Sequence, residues 1–138
     1  MRELKFRYWI SGMGKMLFTK DLAQVTMLGA VNSNNGKIEI MQFTGLKDKN
    51  CKEIYEGDVL KETNDYDGGE EPSVRYYLVK FGFYDFTTYN EDQGYGYYLV
   101  RIGKYPDEGQ GIYEGEMLEV VGNLHENPEL IKGVENND

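Results

Sequence analysis

Hydrophobic and polar residues alternate along much of this chain with the two-residue period of a β-strand. The first alternating run covers residues 4–10, a glycine-containing turn follows, and residues 15–19 pair back to form a hairpin. Further strands are predicted at residues 37–43, 59–63, 73–81, 82–86, 95–102 and 117–124. Residues 21–31 fit either a short helix or a strand, and we interpret them as a strand. The pattern therefore predicts a mainly β protein.

The length of 138 residues is sufficient for one domain with its own core, so we expect residues 1–138 to form a single domain. Residues 1–45 are predicted as an antiparallel β-meander with a hairpin, and residues 46–124 as a small, partly closed β-barrel that resembles the SH3 type. Closure of the barrel would protect its strand edges. Residues 125–138 are predicted as a short helix and tail. Residues 103–111 contain Pro106 and three glycines, which predicts a loop there.

Residues 41–61 form the most patterned stretch, with the order strand, turn, short extended piece, tight turn and second strand. Gly45 and Gly57 can adopt a positive φ because they lack a Cβ atom. Asn50 tolerates the left-handed conformation that a tight turn requires. We interpret this stretch as the joint between the meander and the barrel.

The joint contains one of three sequence blocks that together point to a family. This block reads QFTGLKDKN at residues 42–50 and KEIYEGD at residues 52–58. The first block opens the chain, with RELKFR at residues 2–7, then Trp9 and Lys15-Met16. The third block is near the end, with EVVGNL at residues 119–124 and ENPEL at residues 126–130. In this order, these blocks are similar to the YopX family of phage and prophage proteins. Cys51 departs from the family pattern, which usually has Gly after Asn. An Asn-Gly type I′ turn requires positive φ at both central residues, so the turn geometry at Cys51 stays open.

The resemblance implies a phage or prophage accessory protein in the cytoplasm of a bacterial host, and it implies no particular reaction. The residues that carry the family pattern are interpreted as structural turn residues: Gly45, Asn50, Glu56, Gly57, Asp58, Gly122, Asn123, Asn127 and Pro128. Two of them predict where the C-terminal helix begins. Asn127 is a favourable N-cap, and Pro128 suits the first helical position.

The charge distribution bears on possible partners. The net charge is −9, and residues 65–138 contain sixteen acidic residues and five basic residues. An acidic protein repels phosphate backbones, which argues against nucleic-acid binding. The basic N-terminal strand leaves a nucleic-acid-associated regulatory protein as an alternative, although we favour pairing of that strand with the acidic remainder.

The chain also lacks several signals of secretion and membrane insertion. It has no apolar run long enough to span a membrane, and the charged N-terminal residues are not followed by the apolar segment of a signal peptide. Its single cysteine excludes an internal disulfide and a thiolate metal cluster. We therefore expect a cytoplasmic protein without a membrane partner.

Candidate catalytic chemistry is sparse. His125 is the only histidine, and none of Ser11, Ser33 and Ser73 has the sequence context of a nucleophile elbow. Residues 65–71 contain alternating acids and glycines, but they lack the spacing of an EF-hand loop. We expect a protein that is not an enzyme and has no catalytic residues, metal or cofactor. An uncharacterised enzyme remains the alternative.

Aromatic residues suggest a different function. Seven of them fall between residues 83 and 98: Phe83, Tyr84, Phe86, Tyr89, Tyr95, Tyr97 and Tyr98. Residues 82–98 contain no Lys or Arg, which argues against stacking on single-stranded nucleic acid. Tyrosine is favoured at protein interfaces. Tyr84, Tyr89, Tyr95 and Tyr97 are therefore a candidate contact surface for a phage or host protein, or for a second copy of the chain. Core filling by these rings remains the other interpretation.

Overall fold

The computed structural model describes residues 4–12, 14–18, 38–64, 73–87, 92–103, 108–114 and 116–131. Within these residues, nine strands form two antiparallel sheets and one 3-10 helix follows them. The strands are β1 (Phe6–Ile10), β2 (Lys15–Phe18), β3 (Ile38–Lys47), β4 (Glu53–Tyr55), β5 (Asp58–Asn64), β6 (Ser73–Asp85), β7 (Gln93–Arg101), β8 (Gly109–Gly111) and β9 (Leu118–Asn123), and the 3-10 helix covers Pro128–Ile131. The predicted mainly β, antiparallel fold is confirmed.

The first sheet has the strand order β2-β1-β3-β4. The predicted hairpin is present as β1 and β2, and the other edge of β1 pairs with β3. Arg7 and Met41 lie opposite each other in this pairing, and both side chains are buried. Successive residues of a strand point to opposite faces, so Trp9 lies on the same face of β1 as Arg7. This face is the one that meets the second sheet.

The second sheet has the order β8-β7-β6-β5-β9 and is curled into a half-barrel, in agreement with the partly closed barrel that was predicted. Apolar residues cover both faces of its central strand β6. Val79 belongs to the main core, which consists of Ile54, Leu60, Tyr77, Val79, Leu99 and Leu118. Leu78, on the opposite face, packs with Val59 and with Ile131 of the 3-10 helix. The short C-terminal helix therefore covers a face of the sheet that would otherwise expose apolar side chains.

Three local predictions are wrong, and each concerns glycine. Gly45 was interpreted as a turn residue, but strand β3 continues through it from Ile38 to Lys47. Residues 82–86 do not form a separate strand, because β6 continues through Gly82, which lies opposite Gly96 with both residues at positive φ. Residues 103–111 are not only loop, because β8 pairs with β7 at their end. A Cβ atom at Gly109 would lie 2.3 Å from Cζ of Phe86, so glycine is required where this ring covers the strand. Strand pairing thus outweighs the local tendency of glycine to interrupt strands.

The joint at residues 41–61 carries the chain from the first sheet through β3 and β4 into β5 of the second. Gly57 has φ of 89°, its N–H donates to the carbonyl of Val79, and its carbonyl accepts from the N–H of Leu124. A Cβ atom at Gly57 would lie 2.8 Å from Cδ2 of Leu124. Gly57 is therefore needed both for its backbone conformation and for the close approach of the chain.

The turn between β3 and β4 contains Cys51, where the sequence left the turn geometry open. Cys51 has φ of 65°, and it is the one non-glycine residue with positive φ in the described part of the chain. The turn is therefore not of type I′, which requires two such residues. Oδ1 of Asp48 accepts the N–H groups of Asn50 and Lys52, at 2.8 and 2.9 Å, and so holds the turn closed around Cys51.

Several predicted features lie outside the described residues. These are the strand within residues 21–31, the acidic loop at residues 65–71, the C-terminal tail at residues 133–138, and Tyr89. In the part of the chain that is described, no helix is long and apolar enough to cross a membrane.

Candidate functional site

A cleft of about 500 Å³ opens between the two sheets, and we call it the junction cleft. One wall is strand β2, at the edge of the first sheet, and the opposite wall is strand β9, at the edge of the second. Its most buried lining residues are Arg7, Tyr55 and Asp58. The cleft therefore lies where the N-terminal strand, the joint and the last strand come together.

An ion pair between Arg7 and Asp58 connects the two sheets inside this cleft. The distance from Nη1 of Arg7 to Oδ1 of Asp58 is 2.8 Å, and both side chains are almost completely buried. Nη2 of Arg7 donates to the carbonyl oxygen of Glu56 at 3.1 Å, and the guanidinium group lies over the ring of Tyr55. Nε of Arg7 has no hydrogen-bond partner among the described residues. One donor of this buried cation is thus unused.

The carboxylate of Asp58 is held in place but poorly solvated. Its Oδ2 accepts the N–H of Tyr55 at 2.7 Å. Burial raises the pKa of Asp58 to about 6, although Arg7 and the Tyr55 N–H favour the ionised form. The loss of hydration therefore outweighs the attraction of the arginine, and the ion pair contributes little net stability to the fold.

Among the remaining charged groups of the cleft, the glutamates have partners and the lysines form no ion pair within the described part of the chain. Glu53 forms an ion pair with Lys5, and Glu126 accepts a hydrogen bond from Nδ2 of Asn123. In contrast, the ammonium groups of Lys15 and Lys52 form no ion pair within the described part of the chain. Apolar surface between these groups comes from Met16, Phe18 and Val120. The lining thus contains as many cations as carboxylates: Arg7, Lys15 and Lys52 against Glu53, Asp58 and Glu126.

Several residues of the family pattern meet at this cleft. Asp58, Gly122 and Asn123 line it, although they are far apart in sequence. Oδ1 of Asn123 accepts the N–H groups of His125 and Glu126, and Oδ1 of Asn127 accepts the N–H of Asn123. These residues were predicted as separate turns. Arg7, Lys15 and Met16 also line the cleft, so the structure brings all three sequence blocks into one site.

The other pattern residues lie around the cleft rather than in it. Gly57 lies against Arg7, and Glu56 contributes only its backbone carbonyl to the ion-pair network. Gly45, Asn50 and Pro128 do not line the cleft.

Arg7 is the residue that the sequence did not single out. The alternation of Phe6, Tyr8 and Ile10 placed Arg7 on the polar side of β1. The signal that could have identified it is Trp9, because a large apolar ring on the same side as Arg7 indicates that this side is also covered. Trp9 is in fact stacked on His125, with ring centroids 5.1 Å apart.

A second candidate region is the outer part of the β6–β7 hairpin. Phe81, Phe83 and Tyr95 lie on one face with 45%, 68% and 75% of their surface exposed. The ring of Phe81 is 5.4 Å from that of Tyr95 and 4.8 Å from that of Tyr97. Tyr97 is buried, so it supports the exposed rings from below. We call the three exposed rings of Phe81, Phe83 and Tyr95 the aromatic patch.

The other predicted contact residue, Tyr84, lies on the opposite face of the hairpin. Its ring stacks with those of Phe86 and Tyr98, and it is half-buried. A Cβ atom at Gly111 would lie 2.6 Å from the Tyr84 hydroxyl, so the ring covers this glycine. Burial, followed by the negative charge of Asp92, raises the pKa of Tyr84. Tyr84 and Tyr95 therefore do not belong to one continuous surface.

His125 has a different environment from that of a catalytic base. Its Nε2 lies 2.6 Å from Oε2 of Glu39, and its ring stacks on Trp9, outside the lining of the junction cleft. Ser11 follows β1, Ser73 begins β6, and Ser33 lies outside the described residues. No group of three or more His, Cys, Asp or Glu residues that could hold a metal ion occurs where the structure is described.

Comparison with other proteins gives a family model and similar solved structures. No curated protein matches the chain. The crystal structure of protein EF1440 from Enterococcus faecalis is similar over 96% of this chain and 100% of that chain, with 23% sequence identity and a TM-score of 0.46. The family model described as YopX protein matches residues 5–132, which is nearly the whole chain. This chain therefore belongs to the YopX family.

Proposed function

We propose that this protein is a non-enzymatic phage or prophage accessory protein that acts in the bacterial cytoplasm by binding another protein through its aromatic patch. The observation that carries the proposal is the exposure of three neighbouring aromatic rings on the outer part of the β6–β7 hairpin, in a stretch, residues 82–98, that contains no Lys or Arg. Contiguous exposed apolar surface on a folded protein marks interaction sites more often than single exposed side chains do.

The patch has the composition of an interface core. Complete burial of an apolar side chain of this size stabilises a complex by roughly 1.5–3 kcal/mol, and aromatic rings lose few rotamers on binding. Tyr97 and the backbone pairing of Phe81 with Tyr97 already fix the position of the neighbouring rings. A partner would thus meet a preformed surface and order few additional groups.

Charge favours a partner that differs from this chain. Sixteen acidic and five basic residues lie between residues 65 and 138, the part that contains the patch. Two copies with a net charge of −9 repel each other, whereas a partner with an apolar pocket bordered by Lys or Arg is attracted. We therefore propose a phage or host protein of that description as the occupant.

The N-terminal strand supports this function over nucleic-acid binding. Lys5 forms an ion pair with Glu53, and Arg7 forms one with Asp58. Basic groups that are paired inside the molecule release no phosphate counterions and contribute little to nucleic-acid affinity.

Affinity purification from infected cells followed by titration of the captured partner tests the proposal. The variant Phe83→Ser/Tyr95→Ser should weaken binding about tenfold or more, which corresponds to at least about 1.4 kcal/mol. Tyr76→Ser is the matched control, because Tyr76 is 40% exposed on the opposite face of β6, and it should bind normally. Equal binding by the patch variant and the control would overturn the proposal. Loss of a dimer in the patch variant, measured by light scattering, would instead identify a second copy as the occupant.

A further inference from the structure

We propose that the protein partner contributes an extended segment, which pairs as an additional β-strand with the outer edge of β6 beside the aromatic patch. This inference rests on the proposed function, because it specifies how that partner is bound. In binding of this kind, main-chain hydrogen bonds supply the affinity, and pockets for alternate side chains supply the specificity.

The first argument is that β6 has two neighbouring strands along only part of its length. Strand β5 pairs with residues 73–78 of β6, whereas β7 pairs with residues 77–85. After the last pair with β5, the N–H of Gly57 donates to the carbonyl of Val79. No strand of the described ranges pairs with residues 80–85 on that side. This part of β6 is therefore an open sheet edge, which is a template for another strand.

The direction of the backbone groups shows which residues form the open edge. The carbonyl of Tyr76 accepts an N–H from the end of β7, whereas the carbonyl of Val79 accepts one on the opposite side. The N–H and C=O groups of successive residues alternate between the two sides of an antiparallel strand, and the β6–β7 register continues without a shift to Asp85. Phe81 and Phe83 thus direct these groups towards the open edge, where they form no hydrogen bond with another described residue.

A groove of about 470 Å³ begins at this edge, where Lys80 and Phe81 line it. Its other wall is β3, from which Ile40 lines the groove with 62% of its surface exposed. The carbonyl of Gln42 accepts the N–H of Glu56, so the same alternation directs the N–H and C=O of Ile40 away from β1. These groups also form no hydrogen bond in the described part of the chain. Two strands without a neighbour thus border one groove, which suits an extended backbone because it has donors and acceptors on both sides.

The side chains beside the edge indicate the composition of the added segment. Its residues would point alternately towards the aromatic patch and towards the opposite face, where Lys80 lies beside Tyr98 at the groove. Charge favours a segment that contains Lys or Arg, because the protein has a net charge of −9 and the groove is lined by Glu39 and Glu56 against the single ammonium group of Lys80. The expected segment is therefore extended, alternately apolar and basic.

Amide hydrogen exchange of the full chain labelled with ¹⁵N, followed by NMR, tests this inference. In the free protein, the amides of Phe81 and Phe83 should exchange faster than those of Gly82 and Tyr84, which face β7. The probe is the capped peptide Lys-Val-Thr-Val-Lys-Phe-Thr-Val-Lys in millimolar excess. It should slow exchange at Phe81 and Phe83 about tenfold or more and leave Gly82 and Tyr84 unchanged.

Two N-methylated forms of the peptide are the matched controls, because they keep its side chains and each removes the N–H donors of one edge. At least one form should fail to slow exchange at Phe81 and Phe83. Equal protection by all three peptides, or no protection by the unmodified one, would overturn the inference. Slow exchange at Phe81 and Phe83 in the free protein would also overturn it: dependence on protein concentration would then identify a second copy as the occupant, and independence a segment of the same chain.

Two substitutions at Phe83 distinguish this inference from the proposed function. Phe83→Ala and Phe83→Pro both remove a ring of the aromatic patch, but only proline also removes the N–H at the open edge. The captured partner should bind Phe83→Pro about tenfold more weakly than Phe83→Ala. Equal weakening by both variants would overturn the added strand and leave the proposed function in place. Weakening by Phe83→Pro alone, at an unchanged urea midpoint, would support the strand and contradict the role of the ring.

Discussion

Replacement of Cys51 by Gly should stabilise this protein, because Cys51 holds a backbone conformation that favours glycine. Its φ of 65° lies in the left-handed region, and the turn is fixed there by Asp48, which accepts the N–H groups of Asn50 and Lys52. Oδ2 of the same carboxylate accepts the N–H of Val120, so the turn is also tied to β9. The surrounding structure thus prevents Cys51 from relaxing to a more favourable φ.

Two opposing effects set the magnitude. A residue with a Cβ atom in the left-handed conformation costs roughly 1–2 kcal/mol, and glycine removes this strain. Glycine also increases the entropy of the unfolded chain, which destabilises the fold by about 0.4–1 kcal/mol. The net gain in the free energy of unfolding should therefore be about 0.5–1 kcal/mol. The thiol is exposed, so its own removal should have little effect.

Urea unfolding of three variants checks this prediction. Cys51→Ala keeps the Cβ atom and removes the thiol, so its midpoint should remain close to that of the unchanged protein. Cys51→Gly should shift the midpoint upwards with an unchanged slope. Asn50→Gly, at a neighbouring position without positive φ, should be destabilising because only the entropic effect applies. A midpoint for Cys51→Gly at or below that of Cys51→Ala would show that the turn is not strained at this residue.

Further predictions concern the ion pair and the glycines. Because burial raises the pKa of Asp58 to about 6 from 3.8, the folded state binds the proton more tightly than the unfolded chain. Stability from this group is fully present below pH 3.8 and is lost as the pH rises through about 6. In urea titrations, the unchanged protein should therefore lose roughly 2 kcal/mol relative to Asp58→Asn between pH 4 and pH 7. A constant difference between the two proteins would contradict the raised pKa. Gly109→Ala should lower the free energy of unfolding by roughly 1–3 kcal/mol. The added Cβ atom would lie 2.3 Å from both the carbonyl oxygen of Leu99 and Cζ of Phe86. An unchanged midpoint of urea unfolding would contradict this packing.

The alternation of hydrophobic residues was sufficient to predict most of the strands. The hairpin of β1 and β2, the antiparallel class and the partly closed second sheet all follow from it. Local rules failed at Gly82 and at residues 103–111, where glycine indicated an interruption. In both places the strand is maintained by a neighbouring strand, which a local pattern cannot reveal.

The candidate sites were less accessible from the sequence than the fold. Tyr95 was recognised as a potential contact residue, but Phe81 and Phe83 form the aromatic patch with it, and Tyr84 faces the other way. One face of a strand can be buried along part of its length and exposed along the rest, while the sequence alternation stays the same. Which rings are exposed therefore depends on the curl of the whole sheet. Arg7 was missed for a related reason, because Asp58 covers it from the other sheet.

The sequence by itself determined the family, the strand periodicity and the tight turns at Asn50 and Gly57. These properties depend on short-range sterics and on side-chain alternation, which neighbouring residues specify. Only the tertiary structure decided that Arg7, Asp58 and Asn123 meet in one cleft, and which aromatic rings stay exposed. Burial and electrostatics depend on contacts between distant segments, and the pKa of Asp58 is raised because two sheets exclude water from it.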